Sequence, residues 1–573
     1  MTNKDVIAVL SSIADLLQLQ GADPFRVRSY QRAVDTVRGL SDDLNAVLAR
    51  DELQTLPGIG AALAAKIAEL LTTGAMGYHR ELLAEVPSGL VQMLEVPELG
   101  PKTARRLCDE LGLETIDAVE AAARAGRIRG LKGFGEKSET KLLANIALWR
   151  QGRERVLCAE ALAAAEPLLA AVSAARGVSQ ASLAGSLRRG RDTVKDIDIL
   201  VAAADGSAAS AAFVAHPSVD AVVVCGPTKA NVRLAAGLNA DLRVVPPASW
   251  GAALQYFTGS QAHNIALRAR ARDRGLTLNE YSVRRLADES VVAGASEEEV
   301  YAALGLPWIP PELREDRGEI GAAERGELPR LVTVDDLRGD LHVHSRWSDG
   351  LDTITDLAQA AAARGDAYLA ICDHSKSLIV GHGLDEQRVR AQRADIAAAQ
   401  AAVPGVRVLH GTEVDILSDG RLDLDLDLLA QLDVVVASVH MALGQDSAKM
   451  TARLVRAIES GVVDILGHPT GRKTTRREPY TFDFETVVDA AVAHGVALEI
   501  NAAPERLDLD DTLARRARRR GALLCINTDA HAINQLPHRR FGVTQARRAW
   551  LGPDAILNAW PLDRLTAWLE KRD

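Results

Sequence analysis

The chain has 573 residues, enough for three or four domains with well-buried cores. It is 47% hydrophobic and 25% charged, an ordinary globular composition, and its most apolar stretch, ALAAAEPLLAAVSAA from Ala161, is broken by Glu166 and Pro167 and too short to span a bilayer. The formal charge of −10 divides as 38 Lys and Arg against 42 Asp and Glu in residues 1–330, and 29 against 35 beyond, so neither half is a basic module.

Any nucleic acid must therefore be held by local features and bound cations. The opening MTNKDVIAVL has no basic segment followed by an apolar run, unlike a signal peptide. Cys108, Cys158, Cys225, Cys372 and Cys525 are scattered, with no C-x-x-C pair, which fits a reducing cytoplasm and no structural zinc knuckle. Ten of the 13 histidines lie after residue 330, so a histidine-using region is expected there.

Residues 1 to about 150 read as short helices with Gly-rich turns. Three of these turns are related: LPGIG (56–60), VPELGPK (96–102) and LKGFGEK (131–137). Glycine also simply ends helices. The pattern nonetheless resembles the helix–hairpin–helix, in which small residues let backbone N–H groups face a DNA phosphate without reading base sequence. The resemblance marks Gly58, Gly60, Gly100, Lys102, Gly133, Gly135 and Lys137 as DNA contacts. Lys66, eight residues after Gly58, stands where a related lyase carries its Schiff-base lysine; Gln54 and Ala62 replace that lyase's other lysines, so a solvated helix lysine is expected.

From about 155 to 245, helix and strand signals mix. In GSLRRGRDTVKDIDILV, from Gly185, Asp196 and Asp198 are two apart at the head of a β-like run, so both point to one face. A turn-initiating Asp pair would look the same. Asp241, heading the run ADLRVVP, could join them, and three convergent carboxylates can hold two Mg²⁺ or Mn²⁺ for in-line phosphoryl transfer. Gly185 and Ser186 would let backbone approach phosphates, and Arg189 would neutralise a triphosphate. Residues 246–308 look mixed, and Trp308–Arg330, rich in Pro, Gly and charge without apolar periodicity, reads as a linker.

After Asp340, short apolar runs alternate with helical stretches, an arrangement that argues for parallel strands. Seven such runs, ending at His344, His374, Glu413, His440, His468, Asn501 and His531, suggest a closed β/α barrel with chemistry at its C-terminal mouth. Packing histidines would fall anywhere along the strands. The expected metal ligands are His342, His344, Asp349, His374, Glu413, His440, His468, Asp529 and His531, all N or O donors and too many for one tetrahedral ion. His382 and Arg472 are placed near substrate, while His410, His494 and His538 read as ordinary histidines.

Two family resemblances gather these signals. The motifs DLHVHS…SDG, DHS, GTEVDI, SVH, GHP and TDAH resemble the polymerase and histidinol phosphatase (PHP) family over 339–573. That likeness implies a distorted (β/α)7 barrel with two to three Zn²⁺ or Mn²⁺ ions. The order G-S-x-R-R-G, D-x-D and a later Asp, then YFTGSQAHNIALR (256–268) and NEY (279–281), resembles family X DNA polymerases. By that resemblance Tyr256, Phe257 and Gly259 border the incoming sugar, Asn264 reads its base edge and Arg268 contacts the template. Lys195 and Asn239 depart from the polymerase beta pattern.

The expected architecture is multidomain. It comprises a helical helix–hairpin–helix domain (1–95), a fingers-like one (96–150), an α+β nucleotidyltransferase palm (151–245), a thumb (246–315), a linker (316–338) and the PHP barrel (339–573). The resemblance implies a DNA-directed DNA polymerase that fills gaps in repair, taking gapped or primed DNA and dNTPs. It further implies a PHP 3′–5′ exonuclease, no membrane contact, a monomer, and residence in the cytoplasm at the nucleoid. Two other readings stand beside it: a PHP barrel kept only as a structural metal-binding platform, and a PHP small-molecule phosphatase.

Overall fold

The computed structural model of the chain describes residues 1, 3–38, 40, 43–96 and 99–570. They form two compact units, the first Met1–Arg153 with Thr475–Arg477, the second Glu154–Thr474 with Glu478–Asp573.

The first unit is helical. Its core gathers Leu10, Ile13, Leu17, Ile67, Leu107, Val119 and Ile146 from successive helices. Three of these are α1 (Ala61–Thr73), α2 (Pro101–Leu111) and α3 (Glu136–Glu154). Each follows one of the three Gly-rich turns. Gly58 and Gly133 adopt φ of +77° and +88°, a region costly for side-chain-bearing residues, and this turns the chain sharply into the helix.

The second unit opens with a mixed sheet of β1 (Val178–Leu183), β2 (Asp196–Ala203), β3 (Val219–Cys225), β4 (Lys229–Leu234) and β5 (Asn239–Val245), in the order β1-β2-β5-β4-β3. Only β2 and β5 pair in parallel. Along β2, Ile197 and Ile199 are buried while Asp196 and Asp198 face the other side, the alternation a half-covered strand requires. Next come α4 (Trp250–Thr258), α5 (Gln261–Asp273) and a small antiparallel sheet of β6 (Leu276–Leu278), β7 (Val283–Arg285) and β8 (Val291–Ala293).

Trp308–Arg330 is packed rather than extended. It contains a 3₁₀ turn at Pro311–Leu313 and helix α6 (Glu319–Glu324). Arg314 is fully buried and donates to Glu297 at 2.6 Å. Glu319, equally buried, accepts from the backbone of Asp316 and Arg317 and lies 2.6 Å from His263 Nδ1. Each buried charge has its partner, so the segment needs no apolar stripe to pack.

Seven parallel strands follow in chain order: β9 (Gly339–Val343), β10 (Tyr368–Ile371), β11 (Arg407–Asp415), β12 (Val434–Ser438), β13 (Ile465–Leu466), β14 (Ala497–Asn501) and β15 (Leu524–Asn527). A bridge from Val343 to Ala530, with His344 N–H donating to the Ala530 carbonyl at 2.8 Å, brings the last strand back to the first. The strands are almost wholly buried, which explains their continuous apolar runs. The barrel also carries α7 (Asp511–Arg519) and α8 (Arg539–Arg548).

The five-stranded sheet and the barrel meet through buried charge. Arg548, 2% exposed, donates to Asp511 (2.7 Å), Glu315 (3.1 Å) and the Arg189 carbonyl (2.7 Å). Arg472 donates to Asp192 at 2.8 Å, and Gln545 donates to the same carboxylate. Removing one member of a buried ion network strands the others, typically at on the order of 3 kcal/mol. Arg548→Ala is therefore expected to lower the melting temperature of the full chain clearly, with Arg548→Lys in between. Equal melting of Arg548→Ala and wild type in calorimetry would show that the seam contributes nothing.

Candidate metal centres and nucleotide site

The barrel strand ends deliver their side chains to one point, and Glu413 on β11 is its hub. Its Oε2 lies 2.7 Å from His374 Nδ1, 3.6 Å from His342 Nε2 and 3.7 Å from His344 Nε2. Its Oε1 lies 2.9 Å from His468 Nε2 and 3.4 Å from His440 Nε2. Asp529 Oδ1 lies 3.1 Å from His344 Nε2. At the rim, Asp349 Oδ1 lies 3.3 Å from His531 and 3.5 Å from His374.

Three sets of donor atoms fall within 4.8 Å of one another: His344, Asp349, His374 and His531; His342, His344 and Asp529; His374, Glu413 and His440. Every expected ligand except His468 belongs to one of them, and His468 bonds Glu413 directly. His342 Nε2, both ring nitrogens of His344, Glu413 Oε2 and His468 Nδ1 are buried with no hydrogen-bond partner. Orphaned lone pairs on this scale are costly, and divalent cations are what would satisfy them. The residues fit a metal cluster.

The electrostatics agree. Burial alone would raise Glu413, but the facing His440, His374 and His342 hold it well below the usual carboxylate range. Burial, with His531 and His374 beside it, pushes His344 down to about 3, leaving it neutral with a lone pair to offer. Burial opposes protonation of His531 too, but the Asp349 hydrogen bond and the Asp529 charge bring it to about 9. The alternation follows from burying carboxylates and imidazoles side by side.

Several supporting groups were not among the expected ligands. Glu499 lies 2.8 Å from His342 Nδ1 and accepts from the His468 N–H at 2.7 Å. Asp415 lies 3.1 Å from His440 Nδ1. Asn501 donates to both Glu499 and Asp529, and Arg506 Nε lies 3.4 Å from Asp529 Oδ2. These contacts aim the rings. Spacing alone could have found two: Asp415 and Glu499 each stand two residues from a strand-end polar residue, on the same face. Asp340 accepts from Thr528 Oγ1 at 2.6 Å, tying β9 to the chain after β15.

Arg472, expected near substrate, is fully engaged with the Arg506 and Leu507 carbonyls and Asp192, so it positions loops instead. His382 ends a 3₁₀ turn in left-handed conformation. His410 is buried against Gln392, and His538 packs beside Phe541.

In the five-stranded sheet, Asp198 on β2 lies directly opposite Asp241 on β5, with Asp196 opposite Asn239. The carboxylates lie together at the edge of the sheet where two adjacent inner strands, β2 and β5, begin. Burial raises Asp198 to about 6, with Asp196 and Asp241 adding to the effect. A Cβ on Gly185 (φ +60°) would fall 2.0 Å from Asp198 Oδ2, so only glycine admits this carboxylate. Arg189 donates to Glu315 (3.1 Å) and the Thr258 carbonyl (2.6 Å). Arg188 makes a bidentate pair with Glu297, both contacts 2.8 Å. Tyr256 and Phe257 meet edge to face at 5.2 Å. Asn264 accepts from Gln255 and donates to the Tyr256 carbonyl. A Cβ on Gly259 would come 3.2 Å from Arg189 Nη1, which ties that turn to the arginine. Arg268 Nε reaches only the Asn264 carbonyl, at 3.3 Å.

In the helical unit, a Cβ on Gly60, Gly100, Gly133 or Gly135 would meet nothing within 4 Å. The backbone before α1, α2 and α3 is thus open to an incoming phosphate. Lys102 and Lys137 are exposed. Pro97 and Glu98 of the second turn lie outside the described residues. Lys66 donates to Tyr30 Oη at 2.9 Å and sits 3.5 Å from the centre of the Tyr78 ring.

Known proteins supply the frame. Residues 1–76 match the helix-hairpin-helix domain family and 91–146 the SAM-like helix-hairpin-helix tandem. Residues 253–315 match the DNA polymerase beta thumb, and 340–503 the PHP domain. Over 575 aligned residues, covering 100% of both chains, this one is 37% identical to the DNA polymerase/3′-5′ exonuclease PolX of Bacillus subtilis. The chain belongs to the family X DNA polymerases that carry a PHP domain. The chain is also 30% identical, over 244 residues, to a probable phosphatase of Edwardsiella ictaluri, covering 41% of this chain and 94% of that one. A probable phosphatase of Escherichia coli is 28% identical over 243 residues with the same coverage.

The carboxylate edge has a consequence for stability. The carboxyl of Asp198 has a folded pKa of about 6, above the unfolded value near 4, so folding opposes its ionisation. That penalty is absent below about pH 4 and fully present above about pH 6. Metal-free Asp198→Asn is thus expected to melt above wild type at pH 7.5, by on the order of 2 °C, with the gap narrowing toward pH 5. A gap of the same size at both pH values would contradict the burial account.

Proposed function

We propose that the chain extends primer 3′ ends on gapped or primed DNA with dNTPs, as a monomer at the nucleoid in the cytoplasm, and that its barrel removes nucleotides from 3′ ends. The observation that carries the first activity is the in-register pairing of Asp198 with Asp241, beside Asp196 and against Gly185. Three carboxylates at one sheet edge suit Mg²⁺ or Mn²⁺, and the His-rich barrel suits two or three Zn²⁺ or Mn²⁺. When bound, such ions supply Lewis acidity and positive charge at phosphoryl oxygens.

The chain's own residues supply the rest. The primer 3′-oxygen would attack the α-phosphorus as the bond to the β-phosphate breaks and pyrophosphate leaves, with Asp241 nearest the attacking hydroxyl. Arg189 would reach the triphosphate by exchanging Glu315 and the Thr258 carbonyl for phosphate oxygens. Tyr256 and Phe257 would border the sugar, and Asn264 would turn its amide from Gln255 toward the base edge. The glycine turns would hold the DNA backbone through open amides, with Lys102 and Lys137 adding charge. In the barrel, water would attack the terminal phosphodiester and the 3′ nucleotide would leave.

Two experiments test this reading. Asp196→Ala should abolish primer extension and leave 3′-end degradation, whereas Asp529→Ala should do the reverse, each by more than about 100-fold, since a direct ligand outweighs the groups that support it. If both variants lose both activities while their circular dichroism matches wild type, the assignment of one chemistry to each cluster is wrong. Replacing Gly133 and Gly135 together by Val should weaken binding to gapped duplexes of unrelated sequence alike; unchanged anisotropy titrations would remove the turns from the interface.

A further inference from the structure

The mouth of the barrel carries an apolar rim that metal chemistry does not use. Ile379 is 82% exposed, Val380 66%, Leu351 66% and Met441 47%. Single exposed aliphatics are common, but these four sit on backbone that adjoins one site. Each is fixed beside a metal-suited residue. Leu351 follows Asp349 by two positions, and its N–H donates to the His531 carbonyl at 2.7 Å. Met441 directly follows His440. Ile379–Gly381 form a 3₁₀ turn, and a Cβ on Gly381 would lie 3.0 Å from His374 Cδ2 and 3.3 Å from Asp349 Oδ2.

The turn is held in place. The Leu384 N–H donates to the His374 carbonyl at 2.7 Å, and Arg388 donates to the His382 carbonyl at 2.7 Å. Ile379 and Val380 are thus presented outward on a braced turn beside the donor cluster.

We propose that this rim holds the unpaired nucleobase of the 3′-terminal nucleotide while its phosphate lies on the donor cluster. The inference rests on the exonuclease reading above and adds a recognition site to it. A phosphodiester seated among Glu413, Asp349 and His531 leaves the terminal nucleoside at the mouth, where these four side chains stand. They offer no hydrogen-bond donor or acceptor, so they read no base edge; they offer apolar surface to the flat face that every base presents. Branched aliphatic side chains also act as wedges that unstack a terminal base pair. Recognition is then blind to base identity and favours frayed or mismatched ends over paired ones. A sugar phosphate or a simple phosphate monoester has no comparable apolar face.

The test compares Ile379→Ser/Val380→Ser with wild type on two single-stranded oligonucleotides, one ending in a normal 3′ nucleotide and one in a 3′ tetrahydrofuran abasic residue. Both positions are exposed, so the fold should be unaffected. Wild type should lose about tenfold in kcat/KM when the base is removed, the size expected for one base contact, and the variant less than about twofold. In parallel, a cleavage-resistant phosphorothioate oligonucleotide ending in 2-aminopurine, with Mn²⁺ present, should change fluorescence on binding wild type but not the variant, at matched fluorescence anisotropy; an equal change in both overturns the rim. A wild type indifferent to the base, or a variant impaired equally on both oligonucleotides, overturns the rim. A wild type that degrades neither oligonucleotide with Mn²⁺ or Zn²⁺ overturns the exonuclease reading, and the rim with it.

Discussion

A carboxylate with five imidazole rings around it governs the second unit. Glu413 is 1% exposed, and nitrogens of His342, His344, His374, His440 and His468 stand within 3.7 Å of it. Burying an unsatisfied charge among unsatisfied lone pairs is among the costliest things a core can do. The fold bears it because parallel strands in sequential order aim their C-terminal ends at one mouth, and the buried apolar strands below are well packed. The barrel is in that sense a scaffold for a charge arrangement that cations complete. Glu499, Asp415 and Asn501 belong to the same constraint, for without them the rings could rotate and the lone pairs diverge.

The charged seam sets how the barrel relates to the sheet it adjoins. Arg548 touches Glu315 and the Arg189 carbonyl, and Arg189 itself touches Glu315. The arginine expected at the triphosphate is therefore in direct contact with a barrel helix. Asp192, four residues before Asp196 on the same stretch, is held by Arg472 and Gln545 from the barrel. The loop leading into Asp196 and Asp198 is thus braced by the barrel. Separate ligand sets allow separate activities, but the two scaffolds are not mechanically independent.

Much of this was legible in the residues. The seven strands were signalled by short apolar runs, and their ends by histidines; the spacing of Asp196 and Asp198 placed both on one face, and the structure keeps them there. The family likeness ordered these signals, and the whole-length match to a PolX enzyme bears it out. What was hidden had no pattern to show. Trp308–Arg330 looks like a linker because its buried apolar residues, Ile309, Leu313 and Ala323, follow no regular period, and paired charges, Arg314 with Glu297 and Glu319 with His263, share the packing. Arg472 looked like a substrate contact because it is basic and near His468; only tertiary structure supplies the Asp192 and carbonyl partners that occupy it.

The two clusters meet one difficulty in different ways. In the barrel, buried carboxylates are surrounded by imidazoles, so positive or polarisable neighbours hold Glu413, Asp349 and Asp529 ionised and ready as ligands. At the sheet edge like charges face one another: Asp198 rises because it is buried beside Asp196 and Asp241, and Arg189 and Arg243 offset this only in part. A proton therefore competes with a cation at the sheet edge in a range that leaves the barrel carboxylates untouched. The glycine at 185 sharpens this, because it brings backbone instead of a solvating or shielding side chain against Asp198. At the sheet edge Arg189 and Arg243 relieve only part of the charge on Asp198, whereas the barrel carries more of that relief in its own histidines.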